Sequence, residues 1–138
     1  MLLFEFPDII KIFYEKENDL IVHEWLEYNP EDQDNTVLII LQKLYDVFLE
    51  YPVEKVIVKA DRTKGAFSPE IQKYIKDVQV PRLLSDTNVR YIVTVESEDK
   101  IKKVGVKLWQ GQFNKNEKII LHNVGSEEEA RHWLKTIA

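Results

Sequence analysis

The residues best placed to do chemistry gather in "VIVKADRTKGAFSPEI", where an apolar run passes through Asp61, Arg62, Lys64 and Ser68 into a second apolar pattern. An aspartate at a strand end, two cations and a serine hydroxyl at a helix start are the parts of an anion site or a phosphorylation switch. A nucleotide P-loop needs two glycines with its lysine after the second. Here Gly65 is the single glycine of the link and Lys64 precedes it, so that chemistry is not expected. Read as local structure, Ser68, Pro69 and Glu70 make a helix N-terminus: an N-cap hydroxyl, a proline at the first helical position and an acid in the first turn. Asp61 reads first as a turn residue that bonds neighbouring backbone amides.

The other titratable candidates are scattered. His23 and His122 fall on separate apolar runs and His132 on the last helical pattern, and no pair has metal-ligand spacing. The chain has no cysteine, which removes disulfides, thiolate metal sites and a cysteine nucleophile together. His122, near a strand end, is the best single acid–base candidate. No Ser-His-Asp arrangement stands out. Neither an enzyme, a metal nor a cofactor is expected. Tyr74, Tyr91, Trp109 and Phe113 are the aromatics that would line an apolar pocket, against the plainer reading of core packing.

These side chains must be held by a single domain, since 138 residues suffice to bury a core and no linker, repeat or low-complexity stretch divides residues 1–138. A net charge of −5 argues against nucleic acid, which needs basic surface. The start, "MLLFEFPDII", lacks a basic leader region and is interrupted by Glu5, Pro7 and Asp8, so it does not read as a signal peptide. No run approaches the ~18 apolar residues of a membrane span. A cytoplasmic protein is the expectation.

Residues 9–15 and 20–27 are β-rich runs around a polar "KEND", which predicts a hairpin. Val37, Ile40, Leu41, Leu44 and Phe48 recur at helical spacing before Pro52. A strand over 55–60 follows, then the capped helix with Ile71, Tyr74, Ile75 and Val78, which Pro81 should end or kink. A strand over 89–95, a helix over 97–113 and a strand over 117–124 come next. Ser126 and Glu129 then form a capping box for a final helix facing Trp133, Leu134 and Ile137 inward. The order β-β-α-β-α-β-α-β-α predicts an α/β fold: a mostly parallel central sheet with an antiparallel N-terminal hairpin and flanking helices.

That order, the hairpin "IFYEKENDLIVHEWLEY", the segment "VIVKADRTKGAFSPEI" and the ending "VGSEEEARHWL" together resemble the STAS-domain superfamily, in its SpoIIAA-like, anti-sigma-factor-antagonist-like branch. The resemblance implies a non-catalytic protein-interaction module, with Asp61, Arg62, Lys64 and Ser68 on the signalling surface. The family's phosphorylatable motif reads roughly Asp-Ser-Ser-Gly; at the matching place stands "FSPEI", with Ser68 alone and neither the serine pair nor the glycine. Relatives of the same general layout, the Sec14-like proteins, hold lipids, and the alternative reading is a carrier of a small apolar or lipid-like ligand between Tyr74 and Trp109. Leu38, Ile39, Tyr45 and Leu49 widen the apolar arc of the first helix beyond one face. This surplus predicts an interface, as a homodimer or with a protein partner, or cover from "MLLFEF".

Overall fold

Proline presets the φ that the second residue of a tight turn needs, and an aspartate tolerates the left-handed conformation that the third can require. Pro7 and Asp8 do this in the computed structural model, which describes residues 1–26, 34–62, 68–96 and 119–137. Asp8 has φ 67°, and the Ile9 N–H donates to the Phe6 carbonyl at 3.0 Å. The turn joins β1 (Leu2–Phe6) to β2 (Ile10–Glu15). A short 3-10 turn, Lys16–Asn18, ends on Asp19 in the left-handed region and feeds β3 (Leu20–Trp25).

The expected antiparallel hairpin is present as β2 and β3, and a further strand precedes it. "LLFEF" is a third antiparallel strand, pairing Phe4 with Ile12 and Phe6 with Ile10. Leu3, Phe4 and Phe6 pack on the main core cluster, while Ile39 and Leu49 of the first helix stay exposed.

Helix α1 (Asp34–Glu50) leads to β4 (Lys55–Lys59), which lies parallel to β3. Helix α2 (Pro69–Tyr74), a π turn (Ile75–Gln79) and α3 (Val80–Asp86) then lead to β5 (Tyr91–Val95). Strand β6 (Ile120–Val124) and α4 (Glu127–Thr136) close the chain. The six strands stand in sequence order, antiparallel over β1–β3 and parallel over β3–β6. The helix read over 97–113 lies outside the described residues.

Alternation sorts the strand side chains onto two faces. Ile12, Ile21, Val56 and Ile92 meet α1, α2, the π turn and α3. Leu20, Val22, Ile57, Val93 and Val95 meet α4 through Ala130 and Leu134. Both described crossovers lie on one face, as right-handed connections stepping in one direction across a sheet require.

Pro81 does not end the helical segment. A proline has no N–H and crowds the carbonyl four residues back, and the wider π turn just before it relieves this. Ile75 and Val80, five residues apart, are both buried by this turn. Among the described residues no helix is long and apolar enough to cross a membrane.

Candidate functional site at the carboxyl ends of the parallel strands

Open parallel sheets offer ligands the carboxyl ends of their strands. Just past the end of β4 stand Asp61 and Arg62, both exposed. Arg62 reaches the Glu24 carboxylate at 3.9 Å. Lys64 lies outside the described residues. Ser68 is the N-cap of α2: its Oγ accepts the Ile71 N–H at 3.3 Å, with Pro69 at the first helical position. The local reading of this serine stands.

Four strands contribute alternating charges to one row on the α4 face. Glu5 pairs with Lys11, Lys11 with Glu24, and Glu24 with Lys59 in the strand register. Lys11 lies 3.7 Å from Glu5, and Lys59 3.5 Å from Glu24. Lys59 also donates to Glu127 in the first turn of α4 at 3.0 Å. Glu127 and Glu24 hold the Lys59 ammonium above its usual range, and Lys59 and Arg131 hold the Glu127 carboxyl below its own. Arg131 continues the chain of charges: it donates to Glu127 at 2.9 Å and forks onto both Glu15 oxygens at 2.8 and 2.6 Å. That fork pulls the Glu15 carboxyl down to about 2. The described cations of this network, Lys11, Lys59, Arg62 and Arg131, are thus each partnered by an acid.

The opposite face has its own polar row. His23, Val58, Thr94 and Asn123 are neighbours on β3 to β6. His23 and Thr94 are buried. The His23 Nε2 and the Asn123 Oδ1 are buried without a hydrogen-bond partner. Three strand spacings, roughly 14 Å, separate those two residues, so they do not converge on one reacting atom. Burial holds His23 down to about 3 and hence neutral.

Of the four aromatics read as a pocket set, the two described ones, Tyr74 and Tyr91, are not brought together. Tyr74 packs with the α1–α3 cluster, whereas Tyr91 packs with the α4 cluster across the sheet. Trp109 and Phe113 lie outside the described residues. His122 stacks on Trp133 with centroids 4.7 Å apart, and Tyr91 meets the same indole edge-on at 6.4 Å. This aromatic group gives His122 a packing role. His132 is exposed, and no trio of metal-ligating side chains assembles among the described residues.

Two clusters escaped the sequence reading. One is the Glu15–Arg131 fork, 116 residues apart. The other joins α1 to the segment opposite. Gln79 donates to the Leu41 carbonyl at 3.0 Å and accepts from Arg82 at 2.6 Å, while Arg82 lies 4.1 Å from the Tyr45 ring centroid. The Tyr45 hydroxyl donates to Asp86 at 2.6 Å. Periodicity signals which face is apolar and carries no information on which distant polar side chains meet. Comparisons with protein-family models, with curated proteins and with solved structures find no match to this chain.

Proposed function

We propose that the chain is a non-catalytic, STAS-like interaction module of the cytoplasm, regulatory in role and docking through the link after β4 and the helical segment that follows it. The observation that carries this reading is the exposure of large apolar side chains on the helical layer: Ile39 at 61%, Leu49 at 49% and Val78 at 40%. Leu38 and Tyr45, the rest of the apolar surplus on α1, are absorbed by the core. Val78 sits in the π turn beside exposed Lys73, Lys76 and Asp77, so an apolar contact there has a charged surround. An apolar centre with a polar rim is the anatomy of a transient interface. The chemistry-bearing side chains support the same view, because Ser68 caps a helix and Arg62 pairs with Glu24. The split of Tyr74 from Tyr91 weighs against the ligand-carrier alternative.

A photo-crosslinking residue at position 78, expressed in the native host, tests this, with position 120 as a control. Ile120 is similarly exposed at 46% but lies on β6. Discrete adducts from position 78 alone are expected, and an adduct of twice the chain mass identifies the homodimer. Equal labelling from both positions, or none from 78, would remove the support for this surface.

A further inference from the structure

His23 is a titratable side chain in a place built for an apolar one. It is 4% exposed and stands on the β3 face turned to α1. Ile12 and Val58 flank it on the neighbouring strands, and the Phe48 ring of α1 packs on it at 5.5 Å between centroids. Its Nε2 has no hydrogen-bond partner. Burial lowers its proton affinity.

Among the described residues, the titratable groups of β2, β4 and α1 are placed away from the ring or on the other face of the sheet. On β2, Tyr14 shares the face with Ile12, while Lys11 lies on the opposite face with Glu24 of β3 and Lys55 and Lys59 of β4. On α1, Lys43 lies over the Phe4 ring, Tyr45 is bonded to Asp86, and Asp46 and Glu50 are exposed. A charged His23 must therefore reach water, because a lone charge in apolar surroundings is far costlier than a neutral ring.

The two sides of the His23 site differ in how they are held. Strands β2, β3 and β4 are joined by backbone ladders through His23 and its neighbours. Helix α1 rests on them through side chains such as Phe48, and its described polar ties run to the π turn and α3. The weaker boundary is the one between α1 and the sheet.

We propose that His23 is an acid-operated latch, whose protonation releases α1 from the sheet while strands β2–β4 stay paired. The inference stands apart from the docking surface proposed above. Hydrogen exchange of the full chain from pH 7 to pH 4, corrected for intrinsic rates, tests it. The opening constant of α1 peptides should rise about tenfold per pH unit below ~6.5, the slope for one proton bound on opening. In His23→Phe the α1 slope should be flat. A flat α1 profile in the unaltered chain, a slope that survives in His23→Phe, or β3 and β4 exchanging in step with α1 would each overturn the latch. If His23→Phe fails to fold, the ring nitrogen shifts of His23 in the unaltered chain decide. A ring still neutral at pH 5 supports the latch, and titration near ~6.5, as for a free imidazole, overturns it.

Discussion

Ser68 shows how one hydroxyl serves two readings. Its oxygen accepts the Ile71 N–H, so its first role is to satisfy a helix end that would otherwise be left open. Ser68→Ala should lower stability by about 1 kcal/mol in urea unfolding, and Ser68→Asp, an equally good cap, should hold it within a few tenths. Crosslinking from position 78 should be unchanged in both. If alanine costs nothing, the cap has no energetic weight and the hydroxyl needs another explanation. The cap was legible because serine, proline and glutamate act on backbone within one turn. The neutrality of His23 was not legible: an imidazole on a strand is equally suited to surface or core until Phe48 closes over it.

At the scale of elements, the segment from Pro69 to Asp86 shows where local rules give way. Proline at position 81 reads as a helix stop or kink, and the chain stays helical by widening one turn. Packing decides this, since Ile71, Ile75, Val80 and Leu83 are all buried on α1 and the sheet. Gln79, 4% exposed within that turn, is the polar tie. Gln79→Ala should cost about 2 kcal/mol, because it strands buried hydrogen-bonding groups around Leu41 and Arg82. Thermal or urea unfolding would show it, and a loss of a few tenths would mean that water replaces the amide. Strand β1 is the converse case. Glu5, Pro7 and Asp8 break its hydrophobic run, so it resembles a terminal flap, and it becomes a strand only because β2 offers it an edge.

For the whole molecule, the Glu15–Arg131 fork ties the end of β2 to α4 and so joins distant parts of the chain. Its pH dependence has a definite sign. The folded Glu15 carboxyl sits at about 2 against an ordinary 4.5, so on acidification the unfolded chain binds this proton first. The stability it lends is full above pH 4.5 and drains away as pH falls toward 2. Glu15→Gln should cost about 1 kcal/mol at neutral pH, a value discounted for partial exposure. Its stability should then vary less with pH below 4.5 than that of the unaltered chain. Parallel pH profiles for the two proteins would show that the fork contributes nothing. Acid thus acts at two places: His23 in the α1 core over a higher pH range, and Glu15 at the α4 rim over a lower one.

The sequence by itself determined the elements whose cause is local: short runs of β-branched and aromatic residues for β2–β6, helical spacing for α1, and the serine caps of α2 and α4. It also set the α/β class, because strands separated by helices leave few other ways to bury both faces of a sheet. Only the tertiary structure decided the pairing of β1, the π turn, the burial of His23 and the charge lattice from Glu15 to Arg62. It also decided that Tyr74 and Tyr91 face opposite layers. These depend on which distant surfaces meet. Backbone preference acts within a few residues and is readable from them, whereas dielectric environment and ion pairing belong to contacts that exist once the chain has closed on itself.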